Sequence, residues 1–240
     1  MKTGTLYGIG VGPGDPELMT VKAQRILAEV EVLFIPRSQK GKPSLAFSIL
    51  TGLFKKDWQY VDLLLPMTRN GEILQAAWHQ AAEQMLAVLR QGKDAAFITL
   101  GDPGMYSSFT YLMEVLKGME ADLPVEIIPG VSSMQAISAW IQQPLAAGQE
   151  SLAVVPALQN PDELRIFIQH YDNVVLLKAG KQVEKIRQIL EQEAGKCQVF
   201  LASRCGFKDG FFTQDLSQVQ EEQLDYLSTL LIKNNRGDSG

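Results

Sequence analysis

AAFITLGDPGMYSSF, residues 95–109, is the stretch from which the fold can be inferred. Its first five residues are small or apolar and predict a buried strand. The Gly-Asp-Pro-Gly sequence that follows predicts a turn, and a helix is predicted after it. Ligands of open α/β sheets bind at the carboxyl ends of the strands, so we expect a small-molecule site here. The alternative is a purely structural Asx turn between strand and helix.

Strand and helix patterns alternate on both sides of this stretch. After the first strand, residues 12–17 predict a turn followed by a helix with an acidic first turn, and apolar residues recur at helical spacing from Met19 to Val30. Such alternation predicts a parallel sheet with helices on both faces. The predicted strands are 5–11, 32–35, 60–65, 95–99 and 125–128, and further helices are predicted at 45–54 and 71–91.

The pattern changes after PGVSS, residues 129–133. Strand-like segments then follow one another with fewer and shorter helices, which is typical of a mixed sheet with antiparallel pairs. We therefore predict an α/β protein with two α/β domains, residues 1–130 and 131–240. The later strand-like segments are 151–157, 173–180, 197–205, 211–216 and 227–233.

The composition excludes several classes of protein. The 240 residues are 46% hydrophobic and 20% charged with a formal net charge of −5, which is ordinary for a folded protein and unlike a nucleic-acid binder. No apolar run approaches the roughly 20 residues that span a bilayer, and no signal-peptide pattern opens the chain. We expect a cytoplasmic protein with neither membrane nor nucleic-acid partners. Cys197 and Cys205 have no companion ligands, so we expect reduced thiols and no metal site.

GIGVGPGD, residues 8–15, is similar to the glycine-rich loops that hold nucleotide cofactors. This loop alone supports the alternative of a nicotinamide-dependent oxidoreductase. Two features count against that alternative: Pro13 lies inside the turn, and the second strand ends at Ile35-Pro36-Arg37 without an acid for a ribose. A structural tight turn is the other possibility.

The remaining polar residues indicate a function less specifically. The hydroxyls of Ser132 and Ser133 stand together at a predicted helix start, where an N-cap would need only one. A basic group either is solvated surface or binds carboxylates or phosphates. His79 and His170 are isolated, and the sequence identifies no catalytic residue. The basic group consists of Arg37, Lys40, Lys42 and Arg69.

Several segments together resemble, in order and spacing, the tetrapyrrole methylases, which are S-adenosylmethionine (SAM)-dependent enzymes of cobalamin and sirohaem synthesis. Within that family, the chain is most similar to the subgroup that methylates carbon 20 of precorrin-2 or cobalt-factor II. The family resemblance is carried by GVGPGDPELMTVKA at 10–23, LGDPGMYSSF at 100–109, IPGVSS at 128–133 and VVLLKAG at 174–180. The subgroup resemblance is carried by IPRS at 35–38, KPSLAFSIL at 42–50 and LLLPMTRN at 63–70.

The resemblance implies two α/β domains with SAM in the cleft between them, and a homodimer. It also implies a small tetrapyrrole substrate. The family favours Ser-Leu where this sequence has Gly104-Met105. The implied SAM contacts are Pro13, Leu100, Gly101, Asp102, Met105, Tyr106, Ser132, Ser133 and Ala179.

The resemblance further implies that the glycine-rich first loop lines the substrate. Tetrapyrroles carry many carboxylates, which gives the basic group a purpose in an acidic protein. Methyl transfer mainly requires alignment of the reacting atoms, so no catalytic base is assigned. The implied substrate contacts are Gly12, Asp15, Arg37, Lys40, Lys42 and Arg69. One alternative to methylation at carbon 20 is a methylase that acts on another ring position, on diphthamide or on ribosomal RNA. Another alternative is a non-catalytic ligand sensor.

Overall fold

The computed structural model describes residues 2–156, 158, 160–193 and 197–234. The chain divides into two compact units, Met1–Ser132 and Ser133–Gly240. Each unit has its own five-stranded sheet and its own hydrophobic core.

The first unit confirms the predicted alternation of strands and helices. Its strands are β1 (Leu6–Gly10), β2 (Val32–Arg37), β3 (Gln59–Leu64), β4 (Ala95–Thr99) and β5 (Val125–Ile128). Its helices are α1 (Val21–Glu29), α2 (Leu45–Leu53), α3 (Gly71–Leu89) and α4 (Ser108–Met119).

The sheet of the first unit is parallel throughout, with strand order β3-β2-β4-β1-β5. Gly10 at the end of β1 is paired with Thr99 at the end of β4, and Ile9 is paired with Ile128 at the end of β5. The carboxyl ends of these three neighbouring strands therefore lie side by side at one edge of the sheet. This edge is where a ligand is expected in a fold of this class.

The core of the first unit explains the apolar composition of β4. All five β4 side chains are buried, as expected for a central strand covered by helices on both faces. The rings of Phe97 and Phe109 lie 5.3 Å apart. A Cβ on Gly8 would lie 2.2 Å from the Phe109 ring, so glycine in β1 allows α4 to pack closely on the sheet.

The prediction of an acidic first turn in the first helix is wrong. Pro16–Leu18 forms a separate 3-10 turn, and α1 begins only at Val21. This short segment contains two N-cap residues, and each begins a separate element. Asp15 accepts a hydrogen bond from the Glu17 N–H, and Thr20 accepts one from the Ala23 N–H, so the chain folds into two elements.

The second unit contains the predicted mixed sheet. Its strand order is β6-β7-β10-β8-β9, in which only the β6–β7 pair is parallel. The strands are β6 (Leu152–Pro156), β7 (Asn173–Leu177), β8 (Cys197–Ser203), β9 (Phe211–Thr213) and β10 (Ser228–Asn234). Its α-helices are α5 (Ser133–Trp140), α6 (Leu164–His170) and α7 (Val183–Gln192), of which the first two have eight residues or fewer.

Across the described ranges, no helix is both long enough and apolar enough to cross a membrane. Cys205 is buried, and Cys197 is partly exposed.

Candidate functional site

The loops that follow β1 and β4 are joined through their backbones. The Val11 N–H donates to the Thr99 carbonyl at 3.0 Å, and the Gly101 N–H donates to the Gly12 carbonyl at 2.8 Å. Gly12 adopts a φ of +83°, which glycine tolerates more readily than other residues. The glycine-rich first loop is therefore fixed against the loop that carries Asp102.

Two glycines allow the ends of β1, β4 and β5 to approach closely. A Cβ on Gly10 would lie 2.4 Å from the Gly101 carbonyl oxygen, and a Cβ on Gly130 would lie 2.2 Å from the same oxygen. Both distances are far below van der Waals contact. Any side chain at Gly10 or Gly130 would therefore force the strand ends apart.

Asp102 joins the loop after β4 to the loop after β5. Its Oδ1 accepts a hydrogen bond from the Gly104 N–H at 2.8 Å, which is the Asx turn considered from the sequence. Its Oδ2 accepts a second bond from the Gly130 N–H at 2.9 Å. The carboxylate thus does more than shape its own turn, because it also fixes a neighbouring strand end.

Tyr106 is held in an uncommon backbone conformation at this edge. Its φ is +50°, and the residue is 46% exposed. The next residue, Ser107, is buried and caps α4 by accepting the Phe109 N–H, while its Oγ lies 3.0 Å from Oγ1 of Thr99. Left-handed backbone in a bulky residue is typical of positions that the surrounding structure fixes for a function.

The remaining predicted cofactor residues differ in environment. Pro13 and Ser132 are buried, whereas Leu100 and Met105 are partly exposed. These residues, together with Gly101, Asp102 and Tyr106, all follow the carboxyl ends of β1, β4 and β5. The first unit therefore brings together seven of the nine predicted SAM contacts: Pro13, Leu100, Gly101, Asp102, Met105, Tyr106 and Ser132.

Ser133 and Ala179 belong to the second unit. Ser133 is the first residue of α5, and Ala179 follows the end of β7. Ala179 is fully buried, and its N–H donates to the Ser228 carbonyl at 2.9 Å. Lys178 before it has a φ of +61° and places its Nζ 4.8 Å from the centre of the Tyr226 ring. The turn after β7 is thus fixed against the start of β10.

Arg37 is engaged within the protein. Its Nε lies 2.5 Å from Oδ1 of Asp62, and its Nη1 donates to the Lys42 carbonyl at 2.8 Å. Because only 21% of its side chain is exposed, Arg37 acts here as a support for the loop after β2. Lys40 and Lys42 in that loop, and Arg69 after β3, are exposed to solvent. Of the basic group, these three present exposed side chains.

The two other predicted substrate residues, Gly12 and Asp15, shape the first loop. Gly12 is buried in the backbone contact with Gly101, and Asp15 caps the 3-10 turn through the Glu17 N–H. Among the described residues, no group of three or more His, Cys, Asp or Glu side chains is arranged to hold a metal ion.

Sequence reasoning missed three contributors to this edge. Asp62 could have been found from its place in β3, because β2 and β3 pair in parallel and Asp62 lies diagonally across from Arg37. The buried hydroxyl pair of Thr99 and Ser107 had no local signal. The same is true of the Gly130 N–H, whose partner lies 28 residues earlier in the chain.

The second unit has a polar edge of its own. Arg204, with a φ of +51°, follows β8 and lies 2.7 Å from Asp209 and 2.9 Å from Asp225. Hydrogen bonding from Arg204 lowers the pKa of the Asp209 carboxyl. The surrounding cavity has a volume of about 320 Å³ and is lined by Arg204, Asp209, Phe211, Glu222, Gln223 and Asp225.

Comparison with known proteins identifies the family. Residues 5–219 match the model of the tetrapyrrole (corrin/porphyrin) methylases. The chain is 36% identical over 236 residues to a probable cobalt-precorrin-2 C(20)-methyltransferase of Methanocaldococcus jannaschii, with 95% of each chain covered. It is 32% identical over 230 residues to the cobalt-precorrin-2 C(20)-methyltransferase of Salmonella typhimurium, with 95% of this chain and 96% of the relative covered.

A solved structure supports the same fold. The uroporphyrin-III C-methyltransferase of Thermus thermophilus, crystallised with S-adenyl homocysteine, superposes with a TM-score of 0.66 at 23% identity, covering 96% of this chain and 92% of that one. The family model, the two sequence relatives and this fold agree. The chain belongs to the tetrapyrrole (corrin/porphyrin) methylases.

Proposed function

We propose that this chain is a SAM-dependent C-methyltransferase that methylates carbon 20 of precorrin-2, or of its cobalt-containing form, in cobalamin biosynthesis. The observation that carries the proposal is the 36% identity to the Methanocaldococcus relative across 95% of both chains. The Salmonella relative, with the same ring position in its name, supports it independently at 32% identity.

The residues at the carboxyl edge of the first unit fit SAM as a ligand. They offer backbone surface at Leu100 and Gly101, a buried hydroxyl at Ser132, and apolar and aromatic surface at Met105 and Tyr106. A nucleoside joined to an amino acid needs this mixture of groups. The Thermus structure with S-adenyl homocysteine supports the choice of ligand. We assign Ser133 and Ala179 as further contacts from the family resemblance.

SAM supplies an electrophilic methyl group, so the protein's task is mainly geometric. The hydrogen bonds from Gly101 to Gly12 and from Gly130 to Asp102 fix the strand-end loops before a ligand arrives. Fixed loops lose little conformational entropy when they bind, and they hold the reacting atoms in line. The reduced macrocycle carries an enamine-like carbon that is already nucleophilic, which is why we assign no activating base.

The exposed cations at the same edge suit a substrate with many carboxylates. Lys40, Lys42 and Arg69 are solvent-exposed, and a chain with a net charge of −5 otherwise repels an anionic macrocycle. We assign these three side chains to the substrate's carboxylates, with Arg37 supporting the loop. Gly12 and Asp15 shape the substrate-facing side of the first loop.

Incubation of the protein with methyl-labelled SAM and each macrocycle in turn, with and without cobalt, tests the proposal. Mass spectrometry and NMR should show one labelled methyl group at carbon 20. A methyl group at another position would make the chain a different tetrapyrrole methylase. Tight binding of both ligands without transfer would indicate a ligand sensor, and binding of NADH without binding of SAM would indicate the oxidoreductase alternative.

We also propose that the enzyme is a cytoplasmic homodimer and that its two compact units act as domains. Sedimentation equilibrium should give twice the chain mass of 26.5 kDa. A monomer that retains full activity would contradict the dimer. Calorimetry of the intact chain should show two unfolding transitions if the units are separate domains.

A further inference from the structure

An exposed methionine follows β3, at the same edge of the first sheet as the assigned SAM contacts. Met67 is 69% exposed, and Leu64, the last residue of β3, is 41% exposed. A single exposed apolar residue is common on protein surfaces, so what distinguishes Met67 is its surroundings.

The backbone on both sides of Met67 is fixed. The Thr68 N–H donates to the Pro66 carbonyl at 3.2 Å, which makes Met67 the central residue of a three-residue turn. Pro66 also has a restricted φ. After the turn, the Asn70 N–H donates to Oγ1 of Thr68 at 3.1 Å, and the Asn70 side chain caps α3. The Met67 side chain is therefore presented to solvent from a turn that is held in place before any ligand binds.

Cations lie beside this apolar surface. Arg69 is two residues after Met67 and is exposed. Leu64 is paired in register with Arg37, whose Nη1 donates to the Lys42 carbonyl at 2.8 Å. The loop that carries exposed Lys42 is thus tied beside the end of β3. Apolar and cationic side chains therefore lie together at the carboxyl ends of β2 and β3.

A tetrapyrrole combines the two kinds of group that this end of the sheet can bind. Carboxylates project from its periphery, whereas the faces of its macrocycle are apolar. Only one of its carbons can lie at the methyl group of SAM, so most of the macrocycle must lie beyond SAM. β3 is separated from β4 by β2 alone, and neighbouring strands are about 4.8 Å apart, so the end of β3 lies roughly 10 Å from the end of β4.

We propose that Leu64 and Met67 form an apolar surface on which one face of the macrocycle lies, while the exposed cations beside them bind its carboxylates. We call these two residues the Met67 platform. Methionine suits this role because its unbranched thioether side chain is adaptable and polarizable. The identity of the ligand rests on the proposed function. The platform adds two substrate contacts that neither the family resemblance nor the charges of the loop assign.

The first test uses wild-type protein labelled with ¹³C at its methionine methyl groups. The chain has eight methionines, and Met67→Leu identifies the Met67 signal by NMR. Anaerobic addition of precorrin-2 to protein saturated with S-adenosylhomocysteine should shift the Met67 signal and leave the Met119 signal unchanged. Met119 is 39% exposed at the end of α4, at the opposite edge of the sheet.

Two outcomes of this test would overturn the platform. One is a Met67 signal that does not change when precorrin-2 binds. The other is a Met67 signal that shifts with protein concentration instead of with precorrin-2, which would show that a second copy of the chain covers the residue. Because the observed protein is the wild type, neither outcome depends on the folding of a variant.

The second test measures the dissociation constant of precorrin-2 by quenching of tryptophan fluorescence, again with S-adenosylhomocysteine bound. Met67→Gln keeps the length of the side chain but makes its end polar, and it should weaken binding about 5-fold because partial burial of a methionine is lost. Met67→Leu should bind within about 2-fold of the wild type. Met119→Gln is the matched control and should bind as the wild type does. No weakening in Met67→Gln, or equal weakening in both glutamine variants, would overturn the platform.

Salt distinguishes the platform from the cations. Arg69→Gln should reduce the salt dependence of precorrin-2 binding, because it removes a charge that attracts the carboxylates. Met67→Gln should keep the salt dependence of the wild type, because an apolar contact is not screened. A reduced salt dependence in Met67→Gln would show that Met67 acts only through the cations, and would contradict the proposed contact.

The platform and the proposed function can fail separately. If precorrin-2 binds and is methylated at carbon 20 while the Met67 signal stays unchanged, the platform alone is refuted. If the wild type binds the macrocycle neither with nor without cobalt, the proposed substrate is refuted, and the platform with it. Calorimetry should show wild-type affinity for SAM in Met67→Gln; an equal loss of affinity for SAM and precorrin-2 would place the effect outside the platform and overturn it.

Discussion

Replacing Gly130 with alanine should separate the loops after β4 and β5. The new Cβ would lie 2.2 Å from the Gly101 carbonyl oxygen and 2.9 Å from the Gly10 backbone. Backbone atoms cannot rotate away as a side chain can, so the loops would have to move apart by about 1 Å to reach van der Waals contact.

The size of the effect has two parts. Overpacking of a tightly packed site costs about 1–3 kcal/mol. A 1 Å separation would also lengthen the 2.9 Å bond from the Gly130 N–H to Asp102 beyond hydrogen-bonding distance. A bond to a charged group contributes about 1.5–3 kcal/mol, and partial exposure of Asp102 places it at the low end. We therefore expect the free energy of unfolding to fall by about 3 kcal/mol, out of a typical 5–15 kcal/mol.

Urea denaturation followed by tryptophan fluorescence measures this change in the first unit. Trp140 lies in the second unit, so a Trp140→Phe background leaves Trp58 and Trp78 as the reporters. Gly118→Ala is the matched control, because it lies within α4 and an added Cβ there has no atom within 4 Å. This control should raise the free energy of unfolding by about 0.5–1 kcal/mol. A loss below about 1 kcal/mol for Gly130→Ala, with an unchanged urea dependence, would refute the close packing of the three strand ends.

Two further predictions concern Arg37 and Arg204. Asp62→Asn removes the ionic partner of Arg37 and should loosen the loop that Arg37 holds through the Lys42 carbonyl. In steady-state kinetics, the KM for the macrocycle should rise several-fold, and the KM for SAM should stay unchanged. The Arg204 hydrogen bond lowers the pKa of Asp209 from its ordinary value of 3.8, so ionised Asp209 stabilises the folded state above about pH 4, and this contribution is lost as the pH falls through the lowered pKa. Asp209→Asn should therefore lower the free energy of unfolding at pH 6, and its difference from the wild type should shrink as the pH falls below about 4 in urea titrations.

Each of these two predictions has a control variant that removes the same charge at another exposed position. For the first, Asp57→Asn removes an exposed acid before β3 and should leave the KM unchanged; an equal rise in both variants would attribute the effect to net charge. For the second, Glu221→Gln changes an exposed carboxylate in the same unit. A difference between Asp209→Asn and the wild type that stays constant from pH 6 to pH 3 would contradict the role of the Arg204 pair.

The strands were predictable where burial leaves a continuous apolar run. All five β4 side chains are buried, and β4 covers the predicted residues Ala95–Thr99. The strand order was not predictable in the same way. The placement of β1 between β4 and β5 depends on contacts between segments far apart in sequence, which no local pattern records.

The same distinction applies to the candidate site. The loops at 101–106 and 129–133 were found because turn residues follow apolar runs. The bond between Asp102 and Gly130 joins residues of different loops and had no sequence signal. The pair of Arg37 with Asp62 could be found only once β2 and β3 are known to be neighbours in the sheet. The prediction that Glu17 lies in the first turn of the first α-helix was wrong for a local reason. Asp15 and Thr20 are both good N-caps, and the sequence does not reveal that each begins an element of its own.

The central place of β1 also affects how the chain folds during synthesis. β1 is synthesised before its partners β4 and β5, and its Leu6 pairs with Ala95. At typical translation rates, β1 therefore waits roughly ten seconds for its first neighbour. With the sequence LYGIG, it contains two glycines, which disfavour strand formation and association with other chains while it is unpaired. The glycines that permit close packing in the finished sheet thus also protect the nascent chain.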